Sequence, residues 1–468
     1  MFPKRFCLCV TGHVCYMDFV IKKGLDLPLD GNPSTEVADA PVSRMVCVYP
    51  LEFDRLKQRL KVAEGDTVKR GTELMEDKVN TAFKLRAPAA GKIRAIVRGE
   101  RRFVERIEIE LSETDEAEAF TAYTLDKLKK LDRTTILNQL TTTGYLALIR
   151  QRPFSRMADV KASPKCIFVN AMNTAPFGAD METIVSTDPE AFQAGLDILD
   201  RLTDGPVHLC IGPDAGDTLT AAQNVKPHTF RGPHPAGNSS IHIERIAPMK
   251  LHDIVWTIPA ADALLIGRLF LDGTLPTRRV IALGGPGIKP DARMHYRAQI
   301  GGGLEPLLKT CLAEGDPRIL RGDILSGSIQ EPNAFLHFRQ TAITVIPRDR
   351  ERRFLGWTMP GLDQYSATRL FASSWLTPRK KWALGTNLHG EDRAPILTGF
   401  YDTVMPMDIL VDYLVRAVMA NDTDEAISLG ILETEPEDFA LCDFVCPSKI
   451  NVQDLIRKGL EQIEEEGI

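Results

Sequence analysis

The chain has 468 residues, with 57 basic and 63 acidic side chains for a formal charge of −6, and it is 44% hydrophobic and 26% charged. A length of this order corresponds to about three domains, each able to bury its own core, and the composition excludes disordered, collagen-like and coiled-coil chains. The slight acidity leaves no overall basic field for gathering nucleic acid, and no nucleic-acid partner is expected.

Residues 1–17 read as a doubtful N-terminal extension. Lys4 and Arg5 precede a few apolar residues that Cys, Thr, Gly and His interrupt, which makes a poor signal peptide. Strand-forming sequence begins directly after Met17, and the true start is Met1 or Met17. The nine cysteines are irregularly spaced and suit reduced, buried thiols better than a disulfide framework.

Residues 18–112 read as short strands and tight turns. Arg44–Tyr49 and Lys92–Val97 are apolar, β-branched runs, and Ile107, Ile109 and Leu111 alternate with Glu108 and Glu110. Glycines 65, 71 and 91 and Pro88 punctuate the stretch between them. The pattern resembles the barrel-sandwich hybrid of biotinyl and lipoyl carriers. Lys78 stands near the carrier position, but the arm to Ala87-Pro88 is long and no Met-Lys-Met flanks it. A carrier fold without carrier chemistry is expected.

Residues 113–285 read as a helical bridge and a Rossmann-like α/β domain. Thr124–Gly144 carries a leucine and isoleucine stripe at helical spacing. Strands are expected at Cys166–Ala171, Val207–Ile211, Ala263–Ile266 and Arg279–Leu283. A helix is expected to begin at Asp188-Pro189 and to end at Gly205. No G-x-G-x-x-G or Walker-type run exists, and neither Gly212–Gly216 nor Gly284–Gly287 makes a convincing phosphate loop.

Residues 286–360 read as a β-grasp-like (SLBB-type) module, with a helix over Leu304–Ala313. Residues 361–468 read as a C-terminal helical domain, with helices over Asp408–Ala420 and from Asn451 onward. Between these two helices, Cys442 and Cys446-Pro447 form C-x-x-x-C-P, the remnant of a ferredoxin-type run that lacks two of its cysteines. The fold class is thus multidomain α+β. No window of about 18 residues is continuously apolar, since Ile254–Leu271 contains Pro259, Asp262 and Arg268.

His228, His234, His242 and His252 crowd into one stretch, without the spacing of a metal site. Gly232, His234, Gly237 and His242 make the best partner or quinone surface. The competing reading is that they hold one domain against another. No catalytic, cofactor-binding or metal-ligating residue is expected.

Ile21–Pro28, Gly232–Gly237 with Ile241-His242, Asn387–Arg393, Val404–Leu410 and Ala440–Pro447 together resemble the NqrA family, the A subunits of the Na⁺-translocating NADH:quinone oxidoreductase, a bacterial respiratory pump. The resemblance runs from Ile21 to the C-terminus. It implies a peripheral subunit without a redox centre, on the cytoplasmic face of the inner membrane. Such a protein works beside five other subunits, lettered B to F, and contacts the membrane-embedded NqrB. The complex as a whole oxidises NADH, reduces ubiquinone to ubiquinol and exports Na⁺, with flavins and iron centres in the other subunits. Docking, or shaping quinone access, is the role expected of this chain. Two alternatives stay open: a free-standing flavin or nucleotide oxidoreductase, and a carrier modified at Lys78.

Overall fold

Short β-branched and aromatic runs separated by helices place strands side by side with helices crossing over them. The computed structural model describes residues 17–54, 56–349 and 358–467; the extension before Met17 lies outside them. Ile167–Ala171, Val207–Ile211 and Lys226–Arg231 step outward in parallel. The chain then returns to lay Val255–Pro259 on the other side of Ile167–Ala171. Met17–Val20 extends one edge in parallel, while Arg150–Arg152 and Arg156–Met157 extend the other in antiparallel fashion, giving seven strands.

Two helices cover one face of this sheet. Asp188 caps Pro189–Asp200 by accepting the Ala191 amide at 3.1 Å, as the Asp-Pro pair predicts. That helix ends at Asp200, not at Gly205, which lies in the following turn. The second helix, Ala260–Asp272, contains Ala263–Ile266, so the strand expected there is corrected to helix. Ala260–Asp272 is buried on nearly every side. The short apolar run Ala263–Ile266, bounded by Asp262 and by Gly267-Arg268, therefore carries no helical period to read. The two helices cross backbone against backbone, and a Cβ on Gly267 or Gly195 would overlap the carbonyl of Ala191 or Ala263.

Arg278–Gly284 does not join the seven-stranded sheet. It lies in a six-stranded sheet, antiparallel to His295–Gln299 and parallel to Ala342–Pro347. Pro317–Arg321 and Ser328–Gln330 complete one side and Val37–Asp39 the other, with helix Glu305–Cys311 packed on the sheet core.

The N-terminal unit is built from a four-stranded and a three-stranded sheet. The first holds Met45–Val48, Val104–Leu111, Gly91–Arg98 and Thr67–Val68, and the second Gln58–Leu60, Glu73–Asp77 and Lys84–Arg86. Leu74, Met75, Phe83, Ile93, Ile107 and Ile109 fill its interior. Arg133–Thr143, capped by Asp132, bridges to the α/β layer. Val411–Met419 and the Asn451-capped Val452–Glu466 lead a C-terminal helical cluster that packs on the strand residues Phe168 and Phe230. Among the described residues no helix is long and apolar enough to cross a membrane.

Candidate functional site

Where parallel strands reverse their order of addition, the loops at their carboxyl ends diverge and leave a crevice. The reversal here falls between Ile167–Ala171 and Val255–Pro259. At the same edge of the sheet, beside the loop that follows Ile167–Ala171 and on the side away from Val255–Pro259, lies a cavity of about 300 Å³, lined among others by Asp26, Thr174, Phe177, Asp180, His234 and His295.

Hydrogen bonds fix the walls. Asn170, near the end of its strand, donates to the Gly237 carbonyl at 2.8 Å and accepts the Met172 amide at 3.0 Å. The Gly237 amide donates to Thr174 Oγ1 at 3.0 Å. The hydroxyl proton of Thr174 is then free to be donated to His234 Nδ1, 3.1 Å away. This assignment leaves the imidazole proton on Nε2, which has no protein partner among the described residues. Burial lowers the pKa of His234, against the pull of Asp323 and Asp26. The ring is therefore a neutral donor.

From the opposite wall, His295 Nδ1 donates to the Ser34 carbonyl at 2.7 Å and Nε2 accepts the Asp180 amide at 3.1 Å. Both of its nitrogens are spent, and its role is to orient the Asp180 loop. Phe177 sits between these loops with a φ of +63°, a left-handed conformation that costs a non-glycine residue about 1–3 kcal/mol and that clusters at ligand-binding loops.

The two glycine-rich turns that follow strands are filled by the chain itself. After Val207–Ile211, the short helix Asp217–Thr220 presents its first amides to Glu182, whose carboxylate accepts from Thr218 and Leu219 at 3.2 Å each. A carboxylate thus takes up the free amides at the start of that short helix. After Arg278–Gly284, the Gly285 amide donates to the Gly31 carbonyl at 2.7 Å, and a Cβ on Gly31 would come 2.5 Å from the Gly285 carbonyl carbon. Those glycines serve backbone-on-backbone packing.

Of the residues singled out from sequence, His234 lines the cavity, and Gly237 supports it through its bond to Thr174. Gly232, at φ +141°, packs against Ile21. His234 accepts the Leu25 amide at its carbonyl (2.8 Å) and donates its own amide to Asp26 (3.0 Å). The 232–237 peptide therefore joins the 21–26 segment to the Thr174 loop.

His242 is corrected: it is 0% exposed and offers no surface. Its Nε2 donates to the Ala236 carbonyl at 3.0 Å, and its ring lies 4.2 Å from that of Phe230. His228 pairs with His208 at 2.9 Å in the same layer, and His252 is exposed at φ +73°. Lys78 is exposed between Glu73–Asp77 and Lys84–Arg86, its amide donating to the Lys57 carbonyl. Cys442 and Cys446 are both buried, and Cys446 Sγ lies 3.0 Å from the Tyr401 hydroxyl.

Sequence reasoning passed over Thr174, Asp180, His295 and Asp26. The signal available was MNTAPFGAD, a Pro/Gly/Asn-rich loop directly after a buried strand, which marks the carboxyl edge of a parallel sheet.

Residues 19–112 match the family model described as the NqrA N-terminal barrel-sandwich hybrid domain, and residues 131–275 match the NqrA second alpha/beta domain. The A subunit of the Na(+)-translocating NADH-quinone reductase from Yersinia pestis bv. Antiqua (strain Angola) is 41% identical over 450 residues, covering 96% of this chain and 99% of that protein. The protein of the same name from Neisseria meningitidis serogroup C / serotype 2a (strain ATCC 700532 / DSM 15464 / FAM18) is 40% identical over 448 residues, again covering 96% and 99%. A crystal structure of NAD+-reducing [NiFe]-hydrogenase in the air-oxidized state is similar at a TM-score of 0.37 and 13% identity, over 75% of this chain and 67% of that one, a likeness too distant to carry an argument.

Proposed function

Since this chain belongs to the NqrA family, the A subunits of the Na⁺-translocating NADH-quinone reductases, we propose that it serves that complex by docking rather than by redox chemistry. In this reading it sits on the cytoplasmic face of the inner membrane against the membrane-embedded NqrB. NADH, flavin and iron chemistry stays with the five other subunits. The observation that carries the reading is the full-length match to A subunits at 40–41% identity. Glu182 on the Thr218 and Leu219 amides and the Gly31–Gly285 contact also leave neither glycine-rich turn free to cradle a phosphate.

The strand order supports a Rossmann-like reading of the seven-stranded sheet, because three strands step outward and the fourth returns to the far side of the first. The six-stranded sheet supports a β-grasp-like reading. A hairpin, a helix and a final strand parallel to the first, with the remaining pair beyond it, are all present.

The test is an intact-mass and absorbance spectrum of the full chain, followed by reconstitution with NqrB. A colourless chain of unmodified mass that co-purifies with NqrB is the expected result. A flavin or iron–sulfur band, or an adduct on Lys78, overturns the reading.

A second role rests on His234. Its neutral Nε2–H is offered at a cavity of about 300 Å³, at the lower end of the size range of small-molecule sites. A quinone carbonyl is the acceptor that suits it. Equilibrium dialysis of a short-chain ubiquinone against the chain and its His234→Ala variant tests this, and equal binding by the two sinks it.

A further inference from the structure

Between residues 358 and 397 the chain carries eight large apolar side chains that are more than half exposed, among them Leu370 and Trp375 at 78% each and Leu376 at 70%. Such a concentration within one segment marks a surface that meets something other than water.

The segment is held in shape. Ala372 donates its amide to the Pro360 carbonyl at 2.9 Å, and Ser373 Oγ donates to the Gln364 carbonyl at 2.5 Å, so Leu362, Leu370, Trp375 and Leu376 share one small knot. Its far end is pinned by two backbone bonds between Trp382 and the chain at Pro28 (2.8 Å) and Asp30 (3.0 Å).

The charge around the apolar residues identifies the partner. Residues 362–381 contain Arg369, Arg379, Lys380 and Lys381 against the single acid Asp363, while the whole chain is net negative at −6. All four cations are exposed. None of them forms an ion pair among the described residues, and Lys380 lies over the Trp382 ring at 4.2 Å. Protein interfaces are depleted of lysine at their centres. Tryptophan and leucine interleaved with unpaired Lys and Arg are instead the signature of a lipid headgroup boundary, where the indole sits at headgroup level and the cations meet anionic lipid.

We propose that the 362–381 knot docks on an anionic lipid surface, inserting Trp375, Leu370 and Leu376 among the headgroups while Arg379, Lys380 and Lys381 contact their phosphates. This contact adds to docking on the other subunits and does not depend on it, because vesicles contain none of them.

The experiment is co-sedimentation of the full chain with phosphatidylglycerol–phosphatidylethanolamine vesicles and with phosphatidylcholine vesicles. Tryptophan emission is read in parallel. The chain is expected to bind the anionic vesicles, with a blue shift of emission and a loss of binding as salt is raised. Substituting Arg379, Lys380 and Lys381 together by Gln is expected to lower vesicle affinity at least about tenfold. Trp375→Ser with Leu376→Ser is expected to abolish the blue shift. Unchanged circular dichroism and melting of the variants separate surface loss from misfolding. Equal binding to both vesicle types, or binding that ignores the charge variant, overturns the proposal. Failure to bind either vesicle, with the same variants losing assembly into the complex, assigns the knot to a protein partner and also overturns it.

Discussion

Asp262 and Arg279 form an ion pair at 2.9 Å in which the side chains are 1% and 2% exposed. The pair ties helix Ala260–Asp272 of one layer to strand Arg278–Gly284 of the other. Burial pushes the Asp262 carboxyl above its ordinary range, while Arg279 pulls it back. Removing one partner strands a buried charge. Arg279→Leu is expected to cost about 3–5 kcal/mol in denaturant unfolding. The double variant Asp262→Leu/Arg279→Met should recover most of that loss. A double variant as unstable as the single one would show that the bond itself, not the stranded charge, sets the cost.

The buried histidine layer gives a pH signature. Burial holds His208, His228 and His242 well below the usual 6.5, at about 3, 4 and 3 respectively. Each is neutral in the folded chain at a pH where the unfolded chain binds a proton. The stability associated with each is present above about pH 6.5 and is lost as pH falls toward the folded value. Buried carboxyls such as Asp443, raised to about 6, act in the opposite sense, so the informative quantity is a difference. Between about pH 4 and 6, the wild-type chain should lose about 1.4 kcal/mol per pH unit more than His242→Leu. Parallel curves of unfolding free energy against pH would refute the neutral assignment.

At the crossing of Pro189–Asp200 and Ala260–Asp272, Gly267 has no room for a side chain over Ala191. Gly267→Ala should destabilise by about 1–3 kcal/mol, even though alanine favours helix by roughly 1 kcal/mol over glycine. A stabilised variant in a urea titration would mean the helices can part at little cost.

Thr174 is the only hydroxyl bonded to both the Gly237 amide and His234 Nδ1 among the described residues. Thr174→Val keeps the shape and removes both bonds. Stability is expected to fall by about 1–3 kcal/mol. Short-chain ubiquinone binding to the full chain should weaken about tenfold, the equivalent of roughly 1.4 kcal/mol, because the His234 proton is no longer confined to Nε2. Unchanged quinone binding would separate His234 from that ligand.

Local chemistry made some elements readable. Asp188-Pro189 and Asn451 announce their helices because capping is decided within three residues. Ile107 and Ile109 announce a strand because one face of it is buried. Ala263–Ile266 misled because burial on all sides erases periodicity. Lys226–Arg231 went unread because KPHTFR looks polar, although His228 is 2% exposed and Pro227 lies within the strand. The cavity was legible only at His234. Its other walls come from residues 26–33, 174–180 and His295, which only the tertiary fold brings together.

Met17 lies in register with His228 at the edge of the seven-stranded sheet. During synthesis that first strand emerges long before its neighbour exists, and at about 5–20 residues per second the wait is roughly 10–40 s. The intervening barrel-sandwich unit can close in the meantime, since all of its strands pair within residues 45–111. The segment ahead of it remains an unpaired edge on the nascent chain, exposed to chaperones and proteases until the α/β layer behind it takes shape. Among the described residues, the strand made earliest is therefore among the last to be secured.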